Sequence, residues 1–420
     1  MTTVMRFSVA AVLLAALGAA GSAAAADGGP EGRDSEAAAA NLRQALAQGL
    51  LAVDLRYRFE YVDSALFEKN AYASTLRGVL GYETGSLYGF TAGVGFETVT
   101  AIGNDQLYNN LGAGDLNNGV TDRPVVADPA LVEVDQIYLA YAGRYGLDIK
   151  VGRFAYTLDN WRFIGVAPWR QNRRSYEALS IAIGSQSTLR AQYAYLGRAY
   201  YNNGSNPELD AHLLHLSRDL GPGTIAGYAY LLDWGAENRA LLSSATYGVR
   251  YVGSSPTGPV DLHYFAEYAR QLDHGDNPND FGLDYAHFGL GVGRGPWRLT
   301  AAWELRDGDG TSAVLTPLAS NHGKNGYADR INVSPPSGTN DFYAKLTMDR
   351  ERWSWLIAYH YFQAALGDGR LGTEIDFVAS YKPSDPLSIN LKIARYDAGA
   401  FASDVTKVML WSSWSFDTGF

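Results

Sequence analysis

The sequence contains no cysteine, which excludes a disulfide scaffold, cysteine-ligated zinc or iron–sulfur sites, and cysteine catalysis. Proline and methionine are also scarce, with 15 and 4 residues in a chain of 420. By contrast, the chain has 28 tyrosines and 46 glycines. This composition favours many β-strands joined by turns.

The sequence also lacks long apolar runs beyond its N-terminus and blocks of basic residues. Beyond the N-terminus, no window holds the roughly 18 consecutive apolar residues of a membrane-spanning helix. The mean hydropathy of −0.16 likewise excludes a polytopic helical membrane protein. The net charge is −10 without any cluster of lysine and arginine, so we expect no nucleic-acid partner.

Residues 1–26 have the three parts of a signal peptide. One basic residue, Arg6, precedes the apolar stretch 7–20, and the three alanines at 24–26 provide a cleavage site. A transmembrane anchor is the alternative, but the apolar stretch is shorter than the roughly 20 residues that a spanning helix needs. The sequence therefore predicts export.

Residues 27–49 are rich in alanine. Ser35 is a good N-cap and Gly49 is a good helix end, so we expect a short N-terminal periplasmic segment that is largely helical.

Apolar and polar residues alternate from residue 50 to the C-terminus. In residues 53–61, Val, Leu and aromatic residues occupy the odd positions and charged residues occupy the even ones. This period of two is typical of a strand with one apolar and one polar face. The pattern predicts about eighteen strands, joined alternately by short turns and by longer loops, the longest at 99–130, 155–173 and 308–340.

Short turns on one side and long loops on the other are typical of an antiparallel transmembrane β-barrel, which we predict for residues 50–420. A soluble all-β sandwich or propeller is the alternative. The barrel is favoured by the export signal, by aromatic residues near strand ends, and by the last strand, which carries Leu410, Trp414 and Phe416 on one face. In lipid, a spanning sheet must close on itself because its backbone groups have no water to pair with.

The predicted location is the bacterial outer membrane, with membrane lipid as the surrounding partner. The chain ends in an aromatic residue, Phe420, which we expect to be recognised by the outer-membrane assembly machinery. A barrel of about eighteen strands leaves a lumen too wide for side chains alone to fill. Function is therefore expected on the lumen-facing residues and on any loops that fold inward.

Several segments resemble the alginate-export family of outer-membrane barrels. The most specific are LDNWRFIG at 158–165 and WRQN at 169–172. Weaker similarities lie in the first two strands, around 126–139, and in the last three strands. The resemblance implies an eighteen-stranded barrel, in agreement with the strand count, and an arginine-lined pore that passes a polyuronate outward.

Arginine suits an anionic solute because its planar fork binds carboxylates bidentately and stays charged. The candidate residues of the solute path are Arg56, Arg58, Arg77, Arg153, Arg162, Arg170, Arg190, Arg250, Arg298, Arg306, Lys345 and Lys392. In the alternative interpretation, these cations pair with inward carboxylates such as Glu60, Glu97 and Glu304, and merely keep the lumen wet and rigid.

The segment 158–172 is the best candidate for a constriction, because a connection of that length can fold into the lumen. Its candidate residues, besides the arginines, are Asp159, Asn160, Trp169 and Asn172. The alternative is an extracellular cap stabilised by Asp–Arg pairs.

Other chemistry has little support in the sequence. His212 and His215 are the only closely spaced histidines, and they face opposite sides of a strand. We therefore expect no metal site, no cofactor and no enzymatic activity. The sequence predicts a porin-like outer-membrane channel for anionic or saccharide solutes. The alternatives are a dedicated anionic-polysaccharide export channel with periplasmic partners and, from another class, a barrel enzyme or surface adhesin.

Overall fold

The computed structural model describes residues 38–235 and 237–419. The predicted signal peptide, the predicted N-cap Ser35 and the terminal Phe420 lie outside these residues. The helix α1 (Leu42–Ala47) begins after Asn41, whose side chain accepts a hydrogen bond from the Gln44 backbone N–H at 3.0 Å. Among the described residues, no helix has the length and apolarity needed to cross a membrane.

Eighteen strands follow α1 in the described part of the chain. They are β1 (Leu50–Ser64), β2 (Ala71–Glu83), β3 (Phe90–Ala101), β4 (Leu131–Ala142), β5 (Asp148–Phe154), β6 (Ser175–Ser185), β7 (Leu189–Tyr200), β8 (Glu208–Leu220), β9 (Gly223–Asp233), β10 (Ser244–Thr257), β11 (Val260–Asp273), β12 (Gly282–Arg294), β13 (Trp297–Arg306), β14 (Thr339–Arg350), β15 (Trp353–Gln363), β16 (Arg370–Ser384), β17 (Leu387–Ala398) and β18 (Val405–Gly419). Short 3-10 helices span Asp105–Leu107, Gly114–Leu116, Arg144–Gly146 and Glu237–Leu242.

Each strand pairs antiparallel with the next one along the chain, and β1 also pairs with β18. The sheet is therefore closed, and no strand leaves an unpaired edge. The predicted antiparallel barrel of about eighteen strands is confirmed.

The connections differ at the two ends of the barrel. At the end where α1 lies, β8 and β9 are joined by residues 221–222, β12 and β13 by 295–296, and β14 and β15 by 351–352. Gly221 and Gly295 have positive φ there, which a two-residue hairpin turn requires. At the opposite end lie the long connections 102–130, 155–174 and 307–338, within a few residues of the predicted loops.

The strand faces alternate as the sequence pattern predicts. On β10, Tyr247 and Val249 are about half exposed on the outer surface, while Arg250 points into the lumen and contacts Glu267 of β11. The buried core also lies inside the barrel rather than in its wall. Phe163 of the connection 155–174 packs edge-on against Tyr285 of β12, with ring centroids 5.1 Å apart. Two long connections thus fill much of the lumen.

Candidate pore constriction

Two connections fold into the lumen and meet there. We call residues 155–174 inner loop A and residues 307–338 inner loop B. Their backbones are joined directly, because the Gly165 N–H donates to the Leu318 carbonyl at 2.8 Å and the Ser320 N–H donates to the Trp161 carbonyl at 3.0 Å. A side chain at Gly165 would collide with Ser320, so glycine permits this close approach.

Arg162 anchors inner loop A to the barrel wall. Its guanidinium donates to Glu304 of β13 at 2.6 Å and to Asn325 of inner loop B at 3.2 Å, and both charged side chains are buried. Burial is the largest single influence and would lower the pKa of Arg162, but Glu304 and Tyr285 together outweigh it and raise that pKa above its ordinary value. Arg162 is therefore a buried cation that is paired with a carboxylate of the barrel wall.

A second cluster joins inner loop A to β1. Arg58 is buried and donates to Asp128 of the connection 102–130 and to the Trp169 carbonyl. Arg170 lies 3.5 Å from Glu60, 3.8 Å from Asp128 and 3.6 Å from Asp329. Three carboxylates thus surround this arginine, which keeps a small exposed fraction of 15%.

A cavity of about 190 Å³ opens where the two inner loops meet. Its lining combines apolar and aromatic surfaces with one primary amine: Trp161, Ala167, Pro168, Trp169, Ser320, His322, Gly323 and Lys324. Trp161 and Ala167 have positive φ angles of 64° and 48°, which are costly for residues with a side chain. Such strain persists only where the surrounding structure imposes it, and it is concentrated at functional sites.

Lys324 is the cation of this cavity. Its Nζ donates to the Asn160 backbone carbonyl, a neutral partner on inner loop A. Burial, with additional repulsion from Arg162, lowers the pKa of Lys324 to about 7. The charge of this residue therefore changes close to neutral pH.

Comparison with known proteins agrees with this architecture. Residues 49–200 match the alginate-export family. This alginate-export segment contains β1 to β7 and the whole of inner loop A. No curated protein matches the chain.

Solved structures with the same fold include proteins of Pseudomonas aeruginosa and Acinetobacter baumannii. OpdK of Pseudomonas aeruginosa, solved with vanillate, is 12% identical with a TM-score of 0.72, covering 89% of this chain and 100% of that one. OccK9 (OpdG) of Pseudomonas aeruginosa is 12% identical with a TM-score of 0.71, at the same coverage. OccAB4 of Acinetobacter baumannii is 12% identical with a TM-score of 0.68, covering 90% of this chain and 100% of that one. The protein has the β-barrel fold of outer-membrane proteins such as OpdK.

In the alginate-export segment, Arg56 and Arg77 point into the lumen. Arg56 donates to the Gln171 side chain of inner loop A at 2.8 Å, and Arg77 contacts Asp54 and Glu97 at 2.5 and 2.8 Å. Arg190 lies 2.9 Å from Asp148, near the short turns.

The predicted loop residues of the alginate-export segment also lie inside the barrel. Asp159 bridges to the wall through His215 at 3.1 Å and Arg250 at 3.8 Å. The Asn160 side chain accepts from the Arg162 backbone N–H at 3.1 Å, and buried Asn172 donates to the Tyr201 carbonyl at 3.5 Å. Trp169 lines the cavity. Inner loop A therefore brings these four residues into the barrel, at the candidate constriction.

Beyond the alginate-export segment, three predicted cations contact inner loop B. Arg306 donates to the Ile331 carbonyl at 2.6 Å, Lys345 donates to the Gly323 carbonyl at 3.4 Å, and Lys392 contacts His322 at 2.8 Å. Arg298 lies near the short turns, and no ion pair to it is found within the described part of the chain.

Arg153 requires a correction. It pairs across the sheet with Ile137, which is 56% exposed on the outer surface, so its side chain leaves the lumen. Its guanidinium stacks over the Tyr200 ring at 3.3 Å and lies 4.0 Å from Glu177. The physical reason is alternation, because Arg153 is three residues after the inward Lys150 and so faces the opposite side.

Lys324, His322 and Trp161 are site residues that the sequence prediction omitted. Loops have no side-chain period, and the only signal in the sequence was the length of inner loop B. Among the described residues, no group of three or more histidine and carboxylate side chains could hold a metal ion.

Proposed function

We propose that this barrel passes anionic or saccharide solutes through the constriction formed by the two inner loops. The observation that carries the proposal is the cavity between them, whose lining includes Lys324, Trp161 and Trp169. Among the described residues, the hydrogen-bond partner of Lys324 is a neutral carbonyl, so the ammonium can attract a carboxylate, while aromatic faces pack against the ring of the same solute.

Charge pairing around the cavity supports an anionic rather than a cationic solute. The Glu304 carboxylate is engaged by Arg162, by Asn325 at 2.6 Å and by Tyr285 at 2.8 Å. Asp128 is likewise engaged by Arg58 and by the Gln171 backbone N–H. These carboxylates have little capacity left to bind a passing cation, so the cavity favours negative solutes.

A dedicated anionic-polysaccharide export channel is the second candidate, and the alginate-export match favours it. That function would need periplasmic partners at the α1 end, where Leu42 and Leu46 are exposed. In the first candidate, the cavity of about 190 Å³ accommodates one small solute at a time. Vanillate, the aromatic carboxylate present in one similar barrel, agrees with a solute of this kind.

The test is planar-bilayer conductance of the refolded protein, with the reversal potential measured in a salt gradient. We expect anion-selective steps that oligouronates or small ring carboxylates block. Arg170→Gln removes the one cation that Glu60, Asp128 and Asp329 have in common and leaves them to Arg58 and Lys407, so the selectivity should shift toward cations. Arg298→Gln is the matched control, since it removes the same charge near the short turns and should have a much smaller effect.

Cation selectivity of the wild-type channel, or equal effects of the two substitutions, would contradict an anion path through this constriction. Block by long oligouronates but not by single ring carboxylates would favour polysaccharide export over small-solute passage.

A further inference from the structure

The Lys392 ammonium lies inside an aromatic cage. Its Nζ is 3.7 Å from the ring centre of Trp169, 4.4 Å from that of Tyr327 and 5.2 Å from that of Trp411. The His322 Nε2 completes the surroundings at 2.8 Å. The side chain is buried, so this ammonium is hidden from the solute path.

Lys392 differs from the neighbouring lumen lysine in what stabilises its charge. Lys407 forms a direct ion pair with Asp329 at 2.7 Å. Among the described residues, no carboxylate lies within 4 Å of Lys392 Nζ. The nearest partners of the Lys392 ammonium are therefore the uncharged His322 nitrogen and the ring faces, which carry negative electrostatic potential.

The walls of the cage come from three separate parts of the chain. Trp169 belongs to inner loop A, Tyr327 and His322 belong to inner loop B, and Trp411 belongs to β18. Trp169 and His322 also stack on each other with ring centres 4.5 Å apart. One ammonium on β17 thus contacts both inner loops and the adjacent strand.

The hydrogen bonds of His322 agree with this arrangement. Burial lowers the pKa of His322 well below its ordinary range, so the ring is neutral at physiological pH. A neutral ring can donate from Nδ1 to Asp329, at 2.8 Å, and accept from Lys392 at Nε2. Asp329 is held in turn by Lys407 and by Arg170 of inner loop A.

We propose that Lys392 is a positioning residue, whose caged ammonium fastens both inner loops to the barrel wall and so sets the width of the constriction. This inference rests on the proposed channel function but assigns Lys392 no contact with solute. It revises the sequence-based expectation that Lys392 lines the solute path. Removing the ammonium should release the loops as well as removing a charge.

The test compares Lys392→Met with Lys345→Met. Both variants remove one lumen lysine, but among the described residues Lys345 contacts inner loop B at the Gly323 carbonyl and otherwise lies over the Tyr343 ring. We expect larger conductance and greater open-channel noise in Lys392→Met, and a change of selectivity alone in Lys345→Met. Lys392→Arg should restore quiet openings, because a guanidinium also binds aromatic faces.

Backbone hydrogen exchange provides a readout that does not depend on conduction. The Gln171 N–H of inner loop A and the Ala328 N–H of inner loop B donate to Asp128 and Glu374 at 2.8 and 2.6 Å. In Lys392→Met both amides should exchange faster by about tenfold, while strand amides are unchanged. Heat-modifiable gel mobility shows whether each variant has closed its barrel.

Methylammonium should slow the exchange again in Lys392→Ala by entering the vacated cage, and it should not affect the wild type. If the two loop amides exchange equally fast in Lys392→Met and in Lys345→Met, the proposal is overturned. A wild-type barrel that does not conduct would overturn the proposed channel function, while the exchange data would still decide the role of Lys392.

Discussion

At the scale of single residues, the protein itself engages most of the cations that were predicted to meet solute. Arg77 lies between two carboxylates, and Arg162 is buried against Glu304. Burying a charge is costly unless it is paired, so such residues stabilise the lumen rather than binding a transient solute. The charge that a solute encounters then depends on residues such as Lys324, whose partner is a neutral carbonyl.

Lys324 should make the channel sensitive to pH near neutrality. Its pKa is about 7 because burial disfavours the ammonium, so the residue is cationic below that pH and neutral above it. Anion selectivity should therefore fall as the pH rises from about 6 to 8, across that value. Reversal potentials measured at several pH values test this expectation.

The control for this prediction is Lys324→Gln, which should reduce the pH dependence of the reversal potential across the same range. An undiminished pH dependence in Lys324→Gln would assign the titration to another group.

At the scale of elements, inner loop B is held by strand residues that bind its backbone. Glu374 of β16 accepts from the Ala328 N–H at 2.6 Å, and Arg306 of β13 donates to the Ile331 and Asn332 carbonyls. These contacts replace the ladder hydrogen bonds that a loop cannot form. The backbone of inner loop B must therefore adopt a conformation that directs the Ala328 N–H toward Glu374 of the barrel wall.

Gly326 supplies that conformation, with φ of 81° directly beside the Glu374 carboxylate. Gly326→Ala should weaken the attachment of inner loop B by about 1–2 kcal/mol from the left-handed backbone alone. The displacement of Glu374 adds to this cost. Trypsin cleavage in the loop at Lys324 and Arg330 should become roughly 5 to 30 times faster, the factor that such a free energy gives.

Gly367→Ala is the matched control, because Gly367 has φ of 85° but nothing within 4 Å of an added side chain. It carries the same backbone strain outside the inner loops. Equal protease sensitivity of inner loop B in the two variants would show that Glu374 does not hold it through Gly326.

At the scale of the whole molecule, the barrel and its constriction are separate structures. Closure between β1 and β18 satisfies the backbone of the sheet without any help from the inner loops. Eighteen strands enclose a wide space, and the two inner loops reduce it. The barrel should therefore survive changes that remove the constriction.

Replacing residues 318–331 by a short Gly-Ser linker should raise the single-channel conductance several-fold and reduce selectivity, because the lumen loses its narrow section. Gel mobility before heating should remain that of a closed barrel. Shortening residues 66–69, where Lys69 and Asp122 form only an exposed ion pair, is the control and should leave conductance unchanged. Unchanged conductance after shortening inner loop B would place the constriction elsewhere.

The sequence by itself determined the barrel. Side-chain direction in a strand alternates with every residue, so Tyr247 and Arg250 could be assigned to opposite faces without knowing any neighbour. Strand number and the positions of the long loops followed from the same local period. The error at Arg153 arose where a motif was followed instead of this alternation.

Only the tertiary structure decided how the lumen is narrowed. Loops have no period that fixes side-chain direction, and their contacts join residues far apart in the chain, such as Arg162 and Glu304, which are 142 positions apart. The cage around Lys392 likewise draws its rings from three segments. Alternation could place these side chains inside the barrel, but their partners depend on how two long loops pack together in the lumen.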